Sequence, residues 1–209
     1  MMIRTGLLGG SFNPAHSGHR RISLAVMKAL GLDELWWLVS PGNPLKPEKG
    51  MAPLAVRLAS ARAMTRRTPI IPTAIEKELG TRYTVDTVKA LQRRFPNRRF
   101  IWIMGADNLG QFHLWRDWRG IARTMPIAVV ARPGYEGMLT APAMAWLRRS
   151  VRRRSRIRDW TMWSRPALVL LRFRPDPSSA TRMRALKPDW PLSHPHQVLR
   201  DRVTRRPVF

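Results

Sequence analysis

The sequence predicts an α/β protein built on a doubly wound, mostly parallel sheet. Three observations point there. Short apolar runs alternate with segments whose apolar residues recur at helical spacing, the pattern of strands joined by right-handed helical crossovers. A glycine-rich turn links the first apolar run to the first helical pattern. At 209 residues and 44% apolar content, the chain is long enough for one substantial core and carries no internal repeat or low-complexity tract.

The elements follow in order. Ile3–Leu8 reads as a strand, about Gly18–Leu30 as a helix, Glu34–Val39 as a strand and about Leu54–Arg67 as a helix, with Ile70–Ile71 a short strand. After a turn at Gly80, Thr84–Phe95 reads as a helix because Val85, Val88 and Leu91 share a face. Phe100–Met104, Ile127–Ala131 and Ala167–Phe173 are buried-type strands. One domain, 1–209, is expected, with an Arg/Trp-rich elaboration around 136–165 and a small helical part at 178–209.

Gly9-Gly10-Ser11-Phe12-Asn13-Pro14-Ala15-His16-Ser17-Gly18-His19 fills the first strand-to-helix turn. Two glycines allow close backbone approach, Ser17 can cap the helix, and the helix start offers N–H groups to anionic oxygens. His16 and His19 bracket the turn, where imidazoles can donate hydrogen bonds to a polyphosphate and stabilise charge during phosphoryl or nucleotidyl transfer. Neither the dinucleotide-binding nor the P-loop glycine pattern is present.

The absence of cysteine excludes disulfides, thiolate metal sites and a Cys nucleophile. No apolar run reaches membrane-spanning length and the start lacks a signal-peptide layout, so a cytoplasmic protein without a membrane partner is expected. The formal net charge of +25 suggests a polyanionic partner. Yet the one concentrated run, from Arg148 to Arg158, lacks interleaved aromatics; it is read as a solvated helix that steers anionic nucleotides, and no nucleic-acid partner is predicted. A homo-oligomer stays open.

Further along, the proline-rich loop Ser40–Pro47 ends near Lys46, which can reach an anion. Thr84 is a good N-cap for its helix. Gly105-Ala106-Asp107 places a carboxylate where the sheet's ligand edge should lie, able to accept ribose hydroxyls or to help organise a metal. Ser179, Thr181 and Arg184 form a helix start with an arginine one turn in, a second anion site if it faces the first.

These motifs together, spanning Leu7 to Arg184, resemble the nucleotidyltransferases with the HxGH motif, and within them the bacterial nicotinate-nucleotide adenylyltransferases. The opening turn is similar to GGSFDPxHxGH, with Asn13 for the usual Asp and Ala15 for Pro. Glu76–Thr87 resembles Glu…Gly-x-(Ser/Thr)-Tyr-Thr-x-Asp-Thr, Gly105–Trp118 resembles GADxLxxFxxWxxW, Ala131–Gly134 the strand-end Arg-Pro-Gly, and Ser179–Arg184 the Ser/Thr/Arg helix start. The resemblance implies a Rossmann-like nucleotidyltransferase fold and adenylyl transfer from ATP to nicotinate mononucleotide, giving deamido-NAD and pyrophosphate, with no covalent intermediate.

It also implies roles. His16, His19, Lys46 and Arg184 would supply catalytic charge. Gly9, Gly10, Ser11, Phe12, Arg132, Ser179 and Thr181 would join them around ATP. Tyr83, Thr84, Asp107, Trp115 and Lys46 would hold nicotinate mononucleotide, with Tyr83 and Thr84 amides on its carboxylate, Trp115 on its ring, and Trp118 and His113 structural. Mg²⁺ would be held mainly through the ATP phosphates, with no metal site formed by the protein alone. Nicotinamide mononucleotide or phosphopantetheine as acceptor, a cytidylyl transfer, and a basic nucleic-acid-binding protein are the alternatives.

Overall fold

The computed structural model describes residues 2–42, 50–131, 140–173, 179–194 and 198–209. Six strands, β1 (Ile3–Gly10), β2 (Glu34–Val39), β3 (Ile70–Thr73), β4 (Arg98–Gly105), β5 (Ile127–Ala131) and β6 (Leu168–Arg172), form one sheet in the order β3-β2-β1-β4-β5-β6. Every neighbouring pair is parallel. The chain winds outward from β1 to β3, then restarts on the other side of β1, so a crevice opens beyond the carboxyl ends of β1 and β4.

Eight α-helices occur among the described residues: α1 (Ser17–Leu30), α2 (Leu54–Met64), α3 (Ile75–Leu79), α4 (Thr84–Arg94), α5 (Ala106–Gln111), α6 (Trp118–Thr124), α7 (Pro142–Leu147) and α8 (Ala180–Leu186). Because strand side chains alternate, the adjacent Trp36 and Trp37 enter separate cores on opposite sheet faces. Trp36 joins Phe100, Trp102 and Met104 beneath residues of α4, α6 and α7. Trp37 joins Ile101, Ile103 and apolar residues of α1 and α2, and its Nε1 donates to Ser23 Oγ at 2.8 Å. Burial on both faces is what the near-continuous apolar runs of β2 and β5 require.

The predicted strands all form. Glu34–Val39 and Ile127–Ala131 have the expected limits, and the first and fourth extend further, to Gly10 and over Arg98–Gly105. The short helices α3, α5, α6 and α7 were not foreseen individually; at five to seven residues they carry too few apolar positions to show a period.

The Arg-rich run departs from expectation. Instead of a solvated α-helix, Arg148–Ser150 and Arg154–Met162 form 3₁₀ turns, the second kinked at Arg156. Between them Val151 bridges to Leu168, beside β6. Trp160 anchors the segment: it is buried, and its Nε1 donates to the Leu30 carbonyl at 3.0 Å. The arginines here are largely exposed, as a solvated face requires.

The C-terminal part holds α8, a 3₁₀ turn at Trp190–Ser193 and an antiparallel hairpin, β7 (Leu199–Arg200) with β8 (Pro207–Val208). Asp201 fixes that hairpin. It is buried and accepts from Thr73 Oγ1 (2.9 Å) and the amides of Ala74 (2.6 Å), Val203 (2.8 Å) and Thr204 (3.1 Å). Among the described residues no helix is long and apolar enough to cross a membrane.

Candidate active site

At the carboxyl end of β1 the chain turns through Ser11 and Phe12 into α1. Phe12 holds a left-handed backbone (φ 46°), uncommon for a residue with a side chain. Its ring is buried and supports the turn, lying 4.8 Å from Trp37 in a stacked arrangement and 4.9 Å from His19. Gly9 is required by closeness: a Cβ there would sit 3.0 Å from the Trp102 indole.

The helix cap falls one residue before the expected Ser17. His16 is the N-cap, with extended backbone (φ −143°, ψ 169°), and its carbonyl accepts from the amides of His19 (3.0 Å) and Arg20 (3.4 Å). In return the His16 amide donates to His19 Nδ1 at 3.3 Å, and the two rings lie 3.7 Å apart. An accepting Nδ1 places the proton of neutral His19 on Nε2, leaving that nitrogen as a hydrogen-bond donor.

Asn13 ties the turn to the approach of α2. Its Nδ2 donates to the Gly50 carbonyl (3.0 Å), and its Oδ1 accepts from the Ala52 amide (3.2 Å). Both halves of the amide are used, which gives the departure from the family's usual Asp a physical reason. The Asn13 carbonyl in turn receives Arg184 Nη1 at 2.6 Å, across 171 positions of sequence. Arg184 Nη2 also reaches Thr181 Oγ1 at 3.3 Å, and Ser179 caps α8 by accepting the Arg182 amide at 3.1 Å. The second anion motif therefore meets the first.

Among the described residues, two of the cavities beside this turn share its glycines. One, of about 320 Å³, is lined by Gly9–Asn13, His16, His19, Asp107 and Ala180. The other, of about 440 Å³, is lined by Glu76, Arg82, Tyr83, Thr84, Trp115 and Arg116, among others. Gly9, Gly10, Ser11 and Asn108 belong to both, so the two cavities share a wall. Asp107, expected beside Tyr83 and Trp115, lies instead in the histidine cavity, at the start of α5. Lys46 and Arg132 lie outside the described residues.

In the second cavity the N-cap of α4 is Tyr83 rather than the expected Thr84. Its backbone is extended (φ −109°, ψ 141°), and its carbonyl accepts the Asp86 and Thr87 amides. No side chain caps this helix, so its first amides are not covered from the N-cap position. Trp115 stands edge-on to Trp102 (6.3 Å) and Phe112 (5.4 Å), and the Arg116 guanidinium lies 4.7 Å over the Tyr83 ring. Trp118 packs against Phe112 and Trp146, and His113 lines neither cavity.

Two residues, Arg116 and Arg57, carry no motif in the sequence, and a third, Glu76, heads a matched segment without an assigned role. Glu76 lines the second cavity, and burial pushes its carboxyl up to about 7, although the Thr87 hydroxyl donates to it at 3.2 Å. Arg116 follows the recognised tryptophan but carried no pattern of its own. Arg57 lies in α2, 1% exposed, and burial brings its guanidinium down to about 10. The signal for Arg57 was its position among buried neighbours of an apolar helix, unusual for a cation.

A parallel sheet with its crevice at the switch point, a histidine-flanked turn at the first strand end and two adjoining cavities define an α/β protein of the nucleotide-binding type. The sequence matches the cytidylyltransferase-like family over residues 7–186, and the chain belongs to that family. It is 60% identical over 99% of its length, and 95% of the relative's, to a protein of Erythrobacter litoralis named "Probable nicotinate-nucleotide adenylyltransferase". A Gluconobacter oxydans protein of the same name is 53% identical, covering 74% of this chain and 79% of its own. The fold also matches the Plasmodium falciparum nicotinic acid mononucleotide adenylyltransferase complexed with NaAD, at a TM-score of 0.63 and 15% identity, over 88% of this chain and 83% of that one.

Proposed function

We propose that the protein transfers the adenylyl group of ATP to nicotinate mononucleotide, releasing pyrophosphate and forming deamido-NAD. The observation that supports this is the wall shared by the histidine cavity and the Trp115 cavity, an arrangement in which two ligands would meet at one reacting centre. The 60% identical relative named for this activity supports it.

A phosphate oxygen of the mononucleotide attacks the α-phosphorus of ATP in line. One P–O bond forms, the bond from the α-phosphorus to the bridging oxygen breaks, and pyrophosphate leaves with that oxygen and the electron pair. The attacking phosphate is already ionised at neutral pH, so no general base is needed; catalysis is positioning and charge stabilisation. His19 Nε2–H would donate toward the phosphates, the His16 amide holds the His19 ring, and Arg184, fixed on the Asn13 carbonyl, would add positive charge beside the turn. The resemblance assigns Lys46 a further share of that charge.

In the second cavity, the α4 start with Tyr83 and Thr84 suits the nicotinate carboxylate and disfavours a neutral amide, and Trp115 offers its face to the pyridine ring. Among the described residues no three His, Asp or Glu groups converge on a metal position, and Asp107 is the one carboxylate lining the histidine cavity. Mg²⁺ would be held mainly through the ATP phosphates, where it would offset their charge.

His19→Ala tests the assignment. Turnover falls by about two to three orders of magnitude, measured as pyrophosphate release, with the melting temperature within a few degrees of wild type; near-normal turnover rejects this role for the histidine turn.

A further inference from the structure

Arg57 lines neither cavity, yet it joins the segments that build them. Its side chain is 1% exposed and forms no ion pair with a carboxylate among the described residues. Burying an unpaired cation is costly unless its donors are satisfied, and here they are met by backbone carbonyls. Nε donates to Ala52 (2.8 Å), Nη1 to Ser11 (2.8 Å) and Ser40 (2.7 Å), and Nη2 more distantly to Pro41 (3.4 Å).

Those four carbonyls lie at telling places. Ser11 belongs to the wall shared by the two cavities, and Ser40 lines the second. Pro41 follows the end of β2. Ala52 is held from its amide side by Asn13, whose carbonyl carries Arg184. A single guanidinium therefore ties the end of β1, the end of β2 and the approach to α2 into one unit. Because Arg57 is buried, the oxygens it binds point into the protein, where they cannot repel bound phosphates.

We infer that Arg57 is a positioning residue for adenylyl transfer, its planar fork setting the Ser11 and Ser40–Pro41 peptides so that their oxygens stay away from the phosphates. The inference rests on the adenylyl-transfer function proposed above. Lysine cannot replace the fork: its ammonium is a point donor and does not span carbonyls spread around a plane.

Arg57→Lys, which keeps the charge, is assayed for pyrophosphate release per folded molecule, beside its melting curve. The expected result is a kcat lower by about 10- to 100-fold, since small misplacements of reacting groups are costly. KM for ATP changes by less than about threefold, because the lost interaction acts mainly on in-line alignment. A wild-type kcat in folded Arg57→Lys overturns the inference, as does an activity loss matched by loss of folded protein. Should Arg57→Lys not fold, Arg57→Gln is read the same way, and failure of both to fold leaves Arg57 a structural residue and overturns the positioning role. Wild-type protein that releases no pyrophosphate is a separate outcome: it removes the proposed function, and this inference with it.

Discussion

Asn13 shows how a single atom separates this chain from its family's usual pattern. Its Nδ2 donates to the Gly50 carbonyl while its Oδ1 accepts the Ala52 amide. An aspartate keeps the acceptor, loses the donor and sets a carboxylate oxygen against the Gly50 carbonyl. Asn13→Asp is therefore expected to cost about 1–3 kcal/mol, read by urea denaturation; an unchanged midpoint contradicts the contact. Glu76 offers a second test. Burial holds its folded-state carboxyl near 7, above the ordinary value of 4.5. The unfolded chain therefore releases its proton first as pH rises, and stability falls between about 4.5 and 7, reaching a constant penalty above. Glu76→Gln removes a penalty of about 3 kcal/mol: relative to wild type, its melting temperature gains more at pH 8 than at pH 5. An equal difference at both values contradicts the burial argument.

Among elements, the C-terminal hairpin depends on one side chain. Asp201 takes one hydroxyl and three amides, two of these donors on Thr73 and Ala74, beside the start of α3, which carries Glu76 to the second cavity. Asp201→Ala leaves these donors unmet at a cost on the order of 3 kcal/mol, and limited proteolysis then cuts within 198–209 several-fold faster than in wild type. Unchanged protection indicates that the hairpin is held by other contacts. This element also shows what was illegible. Strands of two residues have no period, and Asp201 meets Thr73 across 128 positions, a pairing that no local pattern reveals. The long sheet strands were legible because burial on both faces demands unbroken apolar runs. The caps of α1 and α4 fell one residue early for a similar local reason. Hydroxyl side chains at Ser17 and Thr84 satisfy the usual preference, but here backbone conformation selects His16 and Tyr83, and no side-chain preference announces that choice.

At the scale of the molecule, the site is read from the sequence as motifs and from the structure as a junction. His16, His19 and Arg184 were visible as residue types with phosphate chemistry; that Arg184 rests on Asn13, beside the histidines, needed the fold. Asp107 was recognised as a ligand-edge carboxylate and belongs to the other half of the cleft from the one expected. The net charge of +25 is carried in part by the exposed arginines of 148–158, on a segment anchored by Trp160. The central claim is that one crevice holds ATP under the histidines and a pyridine mononucleotide carboxylate at the α4 start. The most direct test is pyrophosphate release from ATP with nicotinate mononucleotide, nicotinamide mononucleotide or phosphopantetheine offered separately. Release should be fastest with nicotinate mononucleotide, at least about tenfold above the amide; preference for the amide or for phosphopantetheine, or no release with any of the three, contradicts it.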